Sequence, residues 1–307
     1  MANKCKPTIL AAVGLVSVLI MGPQSLSGPD ASAAGPPLNS PGLSANLTSV
    51  SVRPASATVR PSVAAGSVLS VVGRSMALDQ LARTDPWELA RLGQSRYDRE
   101  VSDYTCVFLK QERISGELHK VEEIEVRYRE RPRSVYMIWR RNADQAKRAL
   151  FKDVPEFVNS QGHKLALVEP AGALIRLIVP DIMMPIDGKR ARESSRRSID
   201  EFGFRETLNL LDHYNQVAAE HGVLDLRYEG EGEIDGRPTY KIVRYLPYDG
   251  EGGTWPDAKM VMHLDKEWLL PTAVYSYADR EGKKLLGSYV HTKVRLNPGL
   301  ADDSFRF

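Results

Sequence analysis

The stretch Tyr104–Trp139, YTCVFLKQERISGELHKVEEIEVRYRERPRSVYMIW, decides the fold. Its period is two rather than 3.6. Tyr104 to Leu109, then Ile124, Val126 and Tyr128, then Val135 to Trp139 are apolar runs bounded by turn or charged residues, as in sequential antiparallel strands. Ser115-Gly116 is a two-residue hairpin signal between the first two. Closing the hairpin there pairs Val107 with Ile124 and Thr105 with Val126 on one apolar face, and sets Phe108 against Glu123 and Cys106 against Glu125 on the other. Lys110, Glu112, Glu123, Glu125 and Arg127 then crowd the second face, either as cross-strand ion pairs or as a polar site.

Strands are also expected at 150–152, at 163–169 after the turn Ser160-Gln161-Gly162, and at 224–231, 238–246, 259–265, 272–277 and 285–294. So many consecutive strands around few helices predict an α+β fold, with one large curved antiparallel sheet, open or half closed. One helix opens at Asp85-Pro86, an N-cap followed by Pro at the first turn, with Trp87, Leu89, Ala90 and Leu92 as its apolar stripe. A second follows the capping-box pair Ser198 and Glu201, begins at Phe204 after Gly203, buries Leu208, Leu211 and Ala218, and ends at His221-Gly222.

Ala171–Ile186, AGALIRLIVPDIMMPI, is strongly apolar yet interrupted by Pro180 and Pro185, so it is neither one long helix nor an inner strand. It is expected as a broken segment over the concave face, either completing the core or covering an apolar pocket that Met183-Met184 would line pliably. The candidate lining residues are Val107, Leu109, Val126, Trp139, Ile175, Ile178, Met183 and Met184. Lys189–Arg197, KRARESSRR, holds five basic residues and one acid. It reads as a solvated loop or as a contact for a lipid headgroup or anionic glycan.

Lys4 and Lys6 precede the 13-residue apolar run Ile9–Met21, and Ala31-Ser32-Ala33 is a small-residue cleavage pattern, which together predict a signal peptide over residues 1–33. The run is shorter than the roughly 20 residues of a membrane span. The expectation is therefore export to the periplasm or cell envelope, with no transmembrane segment after cleavage. Residues 34–84, rich in Pro, Ser and Ala, read as a disordered linker, and 85–307 as a single domain. Lys plus Arg is 41 and Asp plus Glu 39 among 307 residues, which gives no general electrostatic reason to bind nucleic acid. Cleavage leaves Cys106 as the sole cysteine, so no internal disulfide is expected, and its apolar setting suits a small buried residue.

Searches for chemistry return little. His119, His163, His213, His221, His263 and His291 show no metal-ligand spacing, and there is no nucleophile elbow or phosphate-cradling glycine loop. No catalytic residue, metal or cofactor is nominated, and the chain is expected not to be an enzyme. Two alternatives stay open: an envelope hydrolase using Glu112, Glu125 or His119, and a scaffold or adhesion module using Arg190, Arg192, Arg196 and Arg197.

Tyr104-Thr-Cys-Val-Phe-Leu-Lys-Gln-Glu-Arg113 with Gly116-Glu-Leu118, then Arg131-Pro132 with Ser134-Val-Tyr-Met137, resemble the family catalogued as domain of unknown function 1571. Ser195-Arg-Arg-Ser-Ile-Asp-Glu-Phe-Gly203 and Leu296-Asn-Pro-Gly-Leu300 with Phe305 extend the resemblance over nearly all of 85–307. Leu270-Pro-Thr-Ala-Val-Tyr275 through Val294-Arg-Leu-Asn-Pro298 also resembles the end of LolA-like lipoprotein-carrier and lipoprotein-binding proteins. That resemblance implies a half-open antiparallel barrel with helices packed on its concave apolar face. It also implies a lipid or lipoprotein as partner, or an envelope protein as in sensor relatives. The expected function is an exported, non-enzymatic binding protein holding an acyl chain, lipoprotein or hydrophobic peptide.

Overall fold

A computed structural model of the chain describes residues 65–172 and 181–307. The expected signal peptide, the expected linker up to residue 64, and Ile175 and Ile178 lie outside the described residues. Helices α1 (Ala65–Thr84) and α2 (Pro86–Glu100) precede β1 (Asp103–Ile114), β2 (Glu117–Leu118), β3 (Glu122–Glu130), β4 (Arg133–Arg141), β5 (Ala146–Lys152), β6 (Leu165–Pro170) and β7 (Ile182–Pro185). After the short α3 (Lys189–Ser194) and the long α4 (Phe204–Glu220) come β8 (Asp225–Ile234), β9 (Arg237–Tyr245), β10 (Lys259–Asp265), β11 (Pro271–Tyr277) and β12 (Leu285–Leu296).

All twelve strands form one sheet in the order β7-β6-β5-β4-β3-β1-β12-β11-β10-β9-β8, with β2 paired to β1 at the side. Every pairing is antiparallel. β1 sits between two meanders, and β7 and β8 are left as the edges of an unclosed barrel. The α+β expectation holds.

The first hairpin differs from its expected register. Ser115-Gly116 does make the tight turn, with φ of 51° and 86°, and β2 pairs across it as Ile114↔Glu117 and Arg113↔Leu118. His119–Val121 then leave the ladder, and it resumes one residue out of step, with Lys110↔Glu122, Phe108↔Ile124 and Cys106↔Val126. A shift of one residue exchanges the two faces of a strand. The buried face of β1 is consequently Tyr104, Cys106, Phe108, Lys110 and Glu112, while Val107 and Leu109 turn to the other side.

Two more expectations are corrected. The linker does not reach residue 84: α1 runs from Ala65 and packs through Leu78, Leu81 and fully buried Ala82 on the same core as Leu89, Leu208 and Ile242. The i, i+3, i+4 spacing of those three residues carried that signal. Nor is 182–185 a lid. It is the edge strand β7, paired to β6, so Ile182 and Met184 face inward and Met183 faces outward, 42% exposed. Pro185 at the end of an edge strand withdraws no ladder hydrogen bond from a neighbour.

Three helices cover part of the concave face. Asp85 accepts from the Glu88 backbone N–H at 2.8 Å and caps α2. Ser198 and Glu201 close their capping box around the 3₁₀ turn Ile199–Glu201, and α4 starts at Phe204 as expected. Leu89, Leu208, Leu211, Ile242, Met260 and Met262 form the core under the helices on the β8–β11 half. Tyr104, Phe108, Ile124, Val126, Tyr128, Phe151, Phe202 and Phe204 form the aromatic core of the β1–β5 half. Cys106 belongs to that second core as a free thiol, 4% exposed, and burial pushes its pKa up.

Candidate functional site

The two cores do not meet everywhere. Between α4 and the segment 186–203 on one side and the inward face of β3–β7 on the other, the concave face borders a half-open cavity of about 1110 Å³. Alternation puts every second side chain of these strands into it. Ile124, Met137, Trp139, Ala149, Ala166 and Val168 form the sheet wall, Ile182 and Met184 the edge, and Ile186, Ile199, Phe202 and Leu211 the opposite side. Small residues at 149 and 166, at the centre of the wall, leave the room that larger side chains would fill.

One end is polar and tightly organised. Glu112, 3% exposed on β1, accepts from the Tyr289 hydroxyl at 2.7 Å, the Ser195 hydroxyl at 3.1 Å and the Arg196 backbone N–H at 3.2 Å. Its Oε2 also lies 3.4 Å from Lys110 Nζ. Lys110 reaches Glu122 at 3.2 Å, and Glu122 accepts from the Trp139 indole N–H at 2.5 Å. Glu112 thereby ties the basic segment to the sheet, and Glu122 fixes the ring of Trp139. Deeper in, Arg244 pairs with Asp257 at 3.4 Å and donates to Asn215 at 3.3 Å. Desolvation raises the Asp257 pKa despite that partner. Burial pushes the Tyr289 hydroxyl up and lowers His291 to about 3, so His291 lines the cavity as a neutral ring.

The basic segment is part of this site rather than a remote solvated loop. Arg190, Arg196 and Arg197 all line the cavity. The Arg196 guanidinium donates to the Pro256 carbonyl at 3.5 Å. Among the described residues neither Arg196 nor Arg197 has a carboxylate within ion-pair distance. Arg192 points away and donates to the Asp187 carbonyl at 2.9 Å.

Of the expected lining residues, Trp139 and Met184 are at the cavity wall. Val126 is buried in the adjoining aromatic core. Val107 and Leu109 lie on the convex side through the register shift, Met183 faces solvent, and Ile175 and Ile178 lie outside the described residues. The residues suggested for hydrolysis are not brought together. Glu125 is on the convex side with Arg140 at 2.6 Å, and His119 is in the β2–β3 connection, while Glu112 faces the cavity. Among the described residues no group of three or more His, Cys, Asp or Glu is placed to hold a metal ion, and no helix is long and apolar enough to cross a membrane.

A family model described as "Protein of unknown function (DUF1571)" matches residues 101–307. No curated protein matches the chain. Among solved structures the chain is similar to MucB, with 15% identity and a TM-score of 0.41, over 72% of this chain and 62% of that one. It thus spans about three fifths of MucB's length. It is similar to a LolA superfamily protein of Nitrosomonas europaea, with 10% identity and a TM-score of 0.33, over 71% of this chain and 97% of that one. It is also similar to the Mycobacterium tuberculosis lipoprotein LppX, with 14% identity and a TM-score of 0.35, over 71% and 99% respectively.

Proposed function

We propose that this chain, which belongs to the DUF1571 family of proteins of unknown function, is an exported, non-catalytic binding protein of the cell envelope that shelters the apolar part of an amphiphile. The observation that carries the reading is the cavity of about 1110 Å³ on the concave face, apolar along β3–β7 and polar at the β1–β12 end. Ligand sites usually occupy roughly 300–1,000 Å³, so this volume suits a long guest rather than stray water. An apolar hollow of this size loses packing contacts that a filled core would keep, a cost that binding offsets. Burying about ten methylenes at about 0.8 kcal/mol each contributes about 8 kcal/mol, the scale of micromolar affinity.

The test is titration of the purified chain with a neutral apolar fluorophore, followed by its displacement with a long-chain monoglyceride. Saturable micromolar binding is expected. Met184→Glu, which sets a charge at the edge of the cavity where solvent is close, should weaken it at least about tenfold through the cost of desolvating a carboxylate. A flat titration of a folded protein overturns the proposal. Export through residues 1–33 belongs to the same reading: the protein recovered from the envelope should begin near Ala34, and one retaining Met1 would contradict it.

A further inference from the structure

The polar end of the cavity has more structure than shelter for an acyl chain requires. Two arginines, Arg196 and Arg197, line the cavity from consecutive positions. Both are half-buried, and neither faces a carboxylate at ion-pair distance among the described residues. The acids nearby have partners of their own. Glu112 and Glu122 flank Lys110, Asp257 has Arg244, Glu206 has Arg133 at 3.0 Å, and Glu201 accepts from the Ser198 backbone N–H at 3.0 Å. Cations left over beside an apolar chamber are costly to keep unpaired, and guanidinium is suited to a planar or tetrahedral oxyanion through paired N–H donors.

The placement of these groups is not left to a free loop. Glu112 grips the segment directly before them, through the Ser195 hydroxyl and the Arg196 backbone N–H. With Tyr289 and Lys110 also on its oxygens, the Glu112 carboxylate is occupied on the sheet side and holds the arginines at the chamber's polar end. Resting on the proposed function above, we infer that the guest is an anionic amphiphile, its carboxylate or phosphate bound by Arg196 and Arg197, with Glu112 as the positioning residue. The acyl part then runs along Trp139, Met137 and Ala149 toward β7.

The experiment compares three ligands on the purified full chain at mildly alkaline pH, by displacement of the neutral fluorophore. The ligands are oleate, a phosphatidylglycerol below its vesicle-forming concentration, and neutral monoolein. At least one anion should bind about tenfold more tightly than monoolein, the value of one good charge-assisted contact, and the tighter anion identifies the head as carboxylate or phosphate. The double variant Arg196→Gln with Arg197→Gln should lose that preference, read as the ratio of anion to monoolein affinity, and Arg196→Lys with Arg197→Lys should restore part of it. Glu112→Gln should reduce the same ratio of anion to monoolein affinity, with near-ultraviolet circular dichroism as the check on folding. Equal affinity for all three ligands overturns the headgroup assignment and leaves the chamber reading intact. Binding of none overturns the chamber reading itself. A preference that survives the double glutamine variant removes the role of the two arginines.

Discussion

His291 shows what the concave face does to a single side chain. It is 5% exposed on β12, opposite Phe108, with Phe202 and Phe204 also against its ring at centroid distances of 5.6 and 4.6 Å. Burial lowers its pKa to about 3 from an unfolded value of 6.5, more than the Thr272 backbone opposes the shift. The unfolded chain therefore binds a proton at this residue over a pH range in which the folded chain does not, so stability falls as pH drops below 6.5. The loss is about 2 kcal/mol between roughly pH 7 and pH 5. His263, also lowered by burial and by Lys241, adds in the same direction. Urea titrations should show this slope in the wild type and a clearly flatter one in His291→Phe. Parallel curves for the two proteins would contradict the origin assigned here.

At the scale of elements, β1, β3 and α2 show both what the sequence reveals and what it hides. Alternation located nearly every strand, because a two-residue period with one apolar face survives in the residue types alone. It misplaced the faces of β1, because both parities of 104–109 are apolar and the deciding feature is a three-residue break after β2 that shifts the ladder by one. Lys110 and Glu112 consequently looked like a solvated face, yet they form the buried polar end of the cavity. The inward faces of β4 and β7 were hidden for the same reason, since 135–139 and 182–184 are apolar at every position and alternation alone does not choose between their two faces. The link between the basic segment and Glu112 was not legible, since 83 residues separate Glu112 from Ser195. Gly93 is a packing requirement of the same hidden kind. It lies buried in α2, where Ala is ordinarily favoured over Gly by about 1 kcal/mol, but a methyl there would sit 2.3 Å from the Leu269 carbonyl oxygen. Overpacking of that order costs about 1–3 kcal/mol, so Gly93→Ala should lower the melting temperature. A raised one would show that the α2 contact gives way freely.

Over the whole described fold, the sheet is two meanders joined along one seam, β1 against β12, whose partners are nearly two hundred residues apart in sequence. The loop-closure entropy of that seam is met only once both halves are in place, so other contacts between the chain's end and its first meander bear on cooperativity. The 3₁₀ turn Asp302–Phe305 supplies them on the convex side. Phe305, fully buried, packs with Tyr136 and Leu150 and with the partly buried Ile138 and Leu167. The guanidinium of Arg129 lies 4.8 Å from its ring centroid and 2.6 Å from Asp302, and Arg127 donates to the Ser304 carbonyl at 2.9 Å. The tail thus clamps the end of the chain after β12 back onto β3, β4 and β5, on the side away from the cavity. Phe305→Ala should cost about 3–5 kcal/mol, the usual range for a large aromatic removed from a core. It should leave ligand affinity unchanged at temperatures where the variant is folded. Guanidinium unfolding followed by tryptophan fluorescence measures the first and fluorophore titration the second. A cost under about 1 kcal/mol would mean that the convex clamp contributes little and that the β1–β12 ladder alone holds the two meanders together.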